Sequence, residues 1–316
     1  MKAFAVALAA FLLAPWSAQA APTAPAAATS IPVLPSATSA PAPDKAFGAY
    51  QRGYFLTAMR YALQRLAAHP NDAAAMSLLG QIYKDGAAVR KNDAEAARWF
   101  ALAARLGDRQ AQFALGLAYL EGDGVKKSFR RAKALFEKAA AQGHSGALYN
   151  LGVMSLEGGD QNFARAAKDF RLAAKAGDTE SDYAMAMLYR AGKGVARDSA
   201  KAAAWLRRGA NARNVDCEVE YAIALFNGDG VKRDEAGAAK YFLEAAAVNN
   251  PVAQDRVARM LASGRGVPKD LVQAVKWHIL ARAAGVKDPW LDQQMKTLTP
   301  QQRVAVRQAL KQYVQD

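Results

Sequence analysis

Six glycines, Gly86, Gly122, Gly158, Gly192, Gly228 and Gly264, recur at intervals of 36, 36, 34, 36 and 36 residues. Such a period argues against a single globular core. It marks one supersecondary unit that cannot bury its apolar face alone and must stack on copies of itself. Aligned on the glycines, each unit reads as a helix A, a short loop and a helix B. The loop is Gly122-Asp123-Gly124-Val125, Gly192-Lys193-Gly194-Val195, Gly228-Asp229-Gly230-Val231 and Gly264-Arg265-Gly266-Val267. Glycine ends helix A in a left-handed conformation and lets the chain reverse within a few residues.

Three residues beyond the loop valine stand Asn92, Ser128, Asn162, Asp198, Asp234 and Asp270. All six are acceptors of the kind that satisfies free amides at a helix start. The acidic members resemble catalytic carboxylates, but capping accounts for the Asn and Ser members equally well. Asn92 with Glu95, and Asp270 with Gln273, have capping-box spacing. Helix B carries large groups at one register: Trp99-Phe100, Leu135-Phe136, Phe170, Trp205-Leu206, Tyr241-Phe242 and Trp277-His278. Small pairs such as Ala103-Ala104 and Ala139-Ala140 follow. The aromatics are expected to fill the space between units, and the alanines to set its width. Gly107, Gly143, Gly177 and Gly285 end helix B, Asn249 substitutes in the fifth unit, and Arg213 departs from the rule in the fourth.

In the second unit the pattern stands as Ala111, Leu115-Gly116, Tyr119, Gly122, Gly124, Val125, Phe136, Ala139-Ala140 and Gly143. It resembles the Sel-one-like repeat, a relative of the tetratricopeptide repeat. Two units depart from it: the third is two residues short, its loop reading Gly158-Gly159-Asp160, and the first has Ala88 in place of the second glycine. The resemblance implies an all-α, right-handed α-solenoid of stacked antiparallel helix pairs. It also implies a non-enzymatic protein–protein interaction scaffold or adaptor.

Residues 1–20 read as a secretory signal, with Lys2, an apolar run from Ala3 to Ala14 and the small-residue pattern Ala18-Gln19-Ala20. The alternative is a retained anchor, although an unbroken apolar span of about 20 residues is absent. Residues 21–43 are rich in Ala, Pro, Ser and Thr and carry no charge, the composition of a disordered, extended linker. Residues 44–72, with Gly53-Tyr54, Ala58, Ala67 and Pro70, resemble a plain tetratricopeptide helix pair capping the stack. The six units occupy residues 73–285. In residues 286–316, Asp288-Pro289 and Thr299-Pro300 each place an N-cap before a first-turn proline, predicting two closing helices. That tail is shorter than a separate catalytic domain of about 50 residues. The expected setting is export to the periplasm of a Gram-negative cell, with secretion beyond it left open.

His69, His144 and His278 fall in different units, without the paired spacing of a zinc site or triad. Cys217 takes the small-residue position held by Ala111 and Ala147, and reads as a buried thiol. No metal site, cofactor or catalytic residue is read. A net charge of +14 raises the question of nucleic acid, but no recognition fold is visible and an exported protein rarely meets it. An enzyme acting on cell-wall material would need a convergent acid–base pair, and none stands outside capping or surface positions.

Counted back from each loop glycine at about 100° per residue, positions −11, −7, −4 and −3 of helix A share one face. In the second unit they are Ala111, Leu115, Ala118 and Tyr119. Positions −9 and −5 lie opposite. They are polar in the end units, as Ser77 and Gln81, and as Asp255 and Arg259. In the middle units they are Phe113 and Leu117, Tyr149 and Val153, Tyr183 and Met187, and Val219 and Ile223. The corresponding tetratricopeptide positions line a concave groove, so these eight residues are read as a groove for an extended or helical segment of an unidentified envelope protein or peptide. The other reading packs them against the adjacent helix A. A second periodic feature is the basic edge of Lys91, Lys127, Arg197, Arg233 and Lys269, two residues after each loop valine. It suits an anionic polysaccharide or lipid surface, or else is a solvated loop edge.

Overall fold

A computed structural model describes residues 44–157 and 162–315. Residues 1–20, the linker 21–43 and the Gly158-Gly159-Asp160 loop lie outside the described residues. Helices α1 (Lys45–Gln51) and α2 (Phe55–Ala68) precede the repeat. The six units follow as α3 (Ala73–Asp85) with α4 (Asp93–Arg105), α5 (Arg109–Glu121) with α6 (Phe129–Ala141), and α7 (Ser145–Glu157) with α8 (Phe163–Lys175). The next three are α9 (Glu180–Ala191) with α10 (Ser199–Asn211), α11 (Val215–Asn227) with α12 (Glu235–Ala247), and α13 (Pro251–Ser263) with α14 (Leu271–Ala283). The chain closes with α15 (Pro289–Lys296) and α16 (Pro300–Gln315). No strand occurs among the described residues. Two compact bodies divide at Asp178 and Thr179, each a stack of helix pairs.

Every helix B starts on its cap. Asn92, Ser128, Asn162, Asp198, Asp234 and Asp270 accept from the amides of Glu95, Arg131, Arg165, Lys201, Gly237 and Gln273 at 2.8–3.4 Å. The reciprocal half of the capping box does not form at Asn92 or Asp270. Their own N–H groups are already given to helix A carbonyls, Asn92 to Tyr83 at 2.9 Å and Asp270 to Leu261 at 3.0 Å. The same bond closes the loops at Ser128, Asp198 and Asp234. A full box does form at Thr299, where Gln302 both donates to the threonine hydroxyl and accepts from its amide.

A second row of caps, not read from the repeat, starts helix A. Asp72, Asp108, Asn214 and Asn250 accept from Ala75, Ala111, Cys217 and Ala253 at 2.6–3.0 Å. In the third unit His144 takes this position, its Nδ1 accepting from the Ala147 amide at 3.2 Å. The turn before this row is left-handed at Gly107, Gly143, Gly177 and Gly285, and Arg213 and Asn249 adopt the same geometry at φ 65° and 63°. Arg213 therefore departs only in residue type. A side chain held in that conformation costs roughly 1 kcal/mol, and the Arg213 guanidinium pairs with Glu244 at 2.7 Å.

Missing side-chain atoms set how closely the helices pack. A Cβ on Gly80, Gly116 or Gly152 would lie 2.6 Å from the ring of Phe100, Phe136 or Phe170, the helix B aromatic of its own unit. The aromatic register thus fills the inside of each pair as well as the space between units, where Phe100 shares a core with Ala111, Ala114 and Leu115. From Thr179 onward Ala186, Ala222 and Ala258 take the glycine position, in one core with Leu206 and Phe242.

The second loop glycine serves the stack itself. A Cβ on Gly124 would sit 2.1 Å from the Asp93 carbonyl oxygen at the start of the preceding helix B. Gly230 meets Ser199, and Gly266 meets Glu235, in the same way at 2.1 and 2.3 Å. Ala88 has no repeat before it. It packs on the core of α1 and α2 without the left-handed backbone.

These three kinds of glycine predict an order of cost. Gly124→Ala drives a Cβ into backbone and should lose more than about 3 kcal/mol. Gly116→Ala, against a ring that can tilt, should lose about 1–3 kcal/mol. Gly143→Ala, whose Cβ meets nothing within 4 Å, should lose only about 1 kcal/mol to backbone strain. Urea unfolding of the three variants measures this order, and equal losses would refute the close-approach account.

Candidate functional site

Up to Asp178, Phe113, Leu117 and Val153 are buried. The Phe113 ring stacks on His144 at 4.3 Å and tilts against Phe136 at 5.8 Å. Tyr149 is half-buried, its ring 5.6 Å from that of Phe170. From Thr179 onward Met187 and Val219 lie in the core, while Tyr183 and Ile223 are half-buried. Five of the eight groove positions therefore face neighbouring helices, and three keep partial surface. Within each body helix A packs on its own helix B and, where one precedes it there, on the helix B before, so its second apolar face also finds cover.

His144 is part of that cover. Burial, then the Arg109 charge, lowers its pKa to about 4, so the ring caps α7 as the neutral imidazole. Its Nε2 lies 3.0 Å from the Gln110 amide oxygen. Below the packed face runs a buried polar row in the first turn of helix A. Gln112 and Gln254 donate to the carbonyls of Ala104 and Ala246, near the C-terminal end of the preceding helix B. Asp182 and Glu218 pair with Arg208 and Arg213 at 3.4 and 3.5 Å.

One sizeable cavity, of about 850 Å³, opens in the C-terminal body. Ile223 and Phe226 of α11, Met260 of α13 and Trp290 of α15 supply apolar walls. Arg190, Arg256, Arg259 and Arg265 line it with Glu220 and Asp229, four cations against two anions. Three of the arginines are held in place. Arg190 pairs with Glu220, and Arg265 lies 4.2 Å over the Phe226 ring while bonding Glu235 at 2.6 Å. Arg259 bonds Asp288 at 2.5 Å, with its guanidinium 5.8 Å from the Trp290 ring centroid. Hydrogen bonds from Arg265 and Arg233 hold the Glu235 carboxyl down at about 2. The Arg256 side chain is exposed and makes no ion pair or side-chain hydrogen bond among the described residues.

No pattern in the residue order marks this cavity, because its walls belong to different units and to the closing helix. Nor does any mark the carboxyl pair behind it. Asp288 caps α15 and is only 2% exposed. Asp255 stands near it from 33 residues away in the chain, and burial, then the Asp288 charge, raises the Asp255 pKa to about 6. The two share Arg259, whose Nε is 3.7 Å from Asp255. Neither lines the cavity, and Arg259 of α13, paired with Asp288, clasps α15 onto α13.

The basic edge is exposed at all five positions. Lys91 pairs with Asp93 at 3.3 Å and Arg233 with Glu235, while Lys127 lies 5.3 Å over the Phe129 ring. His278 is buried with its Nε2 2.9 Å from Asp292. Cys217 is buried, and burial, then the neighbouring carboxylates, raises its thiol pKa. No three His, Cys, Asp or Glu side chains group as a metal site among the described residues.

A family model described as the Sel1 repeat matches residues 73–108, 109–144, 145–178, 179–214, 215–250 and 251–286. Comparison with curated proteins yields no match. Among solved structures, a Sel1 repeat protein from Oxalobacter formigenes is 28% identical, with a TM-score of 0.70 over 76% of this chain and 98% of its own. A protective antigen present in uropathogenic Escherichia coli strains, displaying an SLR fold, is 25% identical, with a TM-score of 0.49 over 86% and 68%.

The two shifted groups give opposite pH dependences. The unfolded His144 protonates near 6.5 and the folded one only near 4. Its contribution is therefore present above pH 6.5 and lost as the pH falls to about 4. His144→Asn keeps a cap but does not titrate, and should remove on the order of 2 kcal/mol of the wild type's acid loss, read as a shallower fall of Tm with pH. For Asp255 the folded pKa is the higher, so its contribution is present below 3.8 and lost as the pH rises through about 6. Asp255→Asn should stabilise by about 1 kcal/mol at pH above 7 and give no gain below pH 4. A gain of the same size at both pH values would disprove the carboxyl repulsion.

Proposed function

We propose that this chain, which belongs to the Sel1 repeat family, holds a segment of another protein against its A helices, anchored in the C-terminal cavity. Sel1 repeat proteins generally mediate protein–protein interaction, and the family is typically a non-enzymatic scaffold. The cavity carries the reading. Its volume lies in the range of ligand pockets, and its mixture of large apolar groups and arginines is the composition enriched where proteins bind one another. Ile223 brings one of the eight groove positions into it, and Tyr183 stands beside its Arg190 and Glu220.

The setting we propose is the cell envelope, supported by the signal-like residues 1–20. Among the described residues no helix is long and apolar enough to cross a membrane. The exposed basic edge favours a second reading, contact with an anionic envelope polymer or lipid surface. Its test is co-sedimentation with purified cell-wall material, which should weaken steeply with salt and vanish on charge reversal at Lys127, Arg197 and Lys269.

Cross-linking in native envelopes followed by mass spectrometry tests the scaffold. Wild type is expected to capture a defined partner set. The double variant Ile223→Ser with Trp290→Ala should lose it by about tenfold or more with an unchanged helical circular-dichroism signal. Unchanged capture by that variant would remove the cavity as the anchor, and absence of any specific partner would remove the scaffold reading.

A further inference from the structure

Resting on that scaffold reading, we propose that the C-terminal cavity selects one chemistry of partner, an acidic peptide segment carrying a bulky apolar side chain. The apolar side chain would enter between Ile223, Phe226, Met260 and Trp290, and flanking carboxylates would meet the arginines at the rim.

Charge comes first. Four arginines against two carboxylates line the cavity, with Glu235 and Asp288 paired to Arg265 and Arg259 just behind it, so the groups facing the cavity are mainly cationic, in a chain that itself carries +14. An acidic segment is complementary to that lining, and a basic one would bring like charges together. The second observation is preorganisation. Arg265 is fixed between the Phe226 ring and Glu235, and Arg259 between Asp288 and the Trp290 ring. Each guanidinium has five N–H donors, and these contacts use only some of them, so a carboxylate finds positioned donors with little further ordering. Among the described residues Arg256 makes no ion pair, and its exposed guanidinium can turn to a ligand. The third is the apolar wall. An anionic polysaccharide has little to place against Ile223, Phe226 and Met260, whereas an aromatic or aliphatic side chain buries well there. Trp290, 42% exposed at the mouth, is an interface anchor of the usual kind.

The test uses the full chain and a fluorescein-labelled peptide in which phenylalanine and leucine are flanked by aspartates and glutamates. An isosteric peptide with asparagine and glutamine serves as comparison. Anisotropy titration should show saturable binding of the acidic peptide, at least about tenfold tighter than the amide peptide and weakening with salt. Arg256→Glu should reduce the acidic peptide's affinity by about tenfold and leave the amide peptide's unchanged. That side chain is exposed and unbonded, so the variant should fold, as its melting curve will show. Equal binding of the two peptides, no saturable binding, or indifference to Arg256→Glu would overturn the proposal. Displacement by alginate or by phosphatidylglycerol vesicles as effective as by unlabelled acidic peptide would overturn it in favour of a polysaccharide or a membrane. If cross-linking finds a partner that enters the cavity through a neutral or basic segment, the charge selection fails while the scaffold stands.

Discussion

Close approach at positions without a side chain governs this molecule. Where helix A presents Gly80, Gly116 or Gly152, an aromatic ring of helix B lies where a Cβ would be. Where the loop presents Gly124, Gly230 or Gly266, the backbone of the preceding unit does the same. Dispersion and burial reward contacts only at close range. The first set joins two helices into a unit, and the second joins one unit to the next. Neither set works alone, because a lone pair leaves half of its apolar surface in water.

The possibilities for function follow from what happens when the stack stops. Within each body helix A packs against helix B partners, and Phe113, Leu117, Val153, Met187 and Val219 are buried. At the sixth unit the next element is not another helix A but the short α15, held by Asp288 to Arg259. A helix of eight residues fills less space than the thirteen of a repeat helix. Apolar side chains are left around a cavity whose rim is furnished by arginines of units four and six. The polar residues that end the repeat thus contribute to the feature best suited to recognition.

Local chemistry was readable from the amino-acid order in detail. The caps from Asn92 to Asp270 form as spaced, and Asp288 and Thr299 start the closing helices. Each depends on groups a few residues apart, so spacing is sufficient. The reciprocal capping bonds of Asn92 and Asp270 were not readable, since their amides are taken by Tyr83 and Leu261 across the loop. Nor was the role of His144, which looks unlike the Asp and Asn at its register but caps in the same way.

The fate of the second face of helix A shows the boundary most clearly. A helical wheel sorts Phe113 and Tyr149 from Ala111 and Leu115 by angle about one axis, and angle is a property of a single helix. Whether that face meets water or a neighbour depends on how many helices surround the axis. The period, turns and caps were thus settled by bonds between residues close in the chain. The enclosure of Phe113, the clasp of Arg259 on Asp288 and the cavity beside Trp290 were settled only when distant segments came within contact range, because burial and pKa depend on what surrounds a side chain.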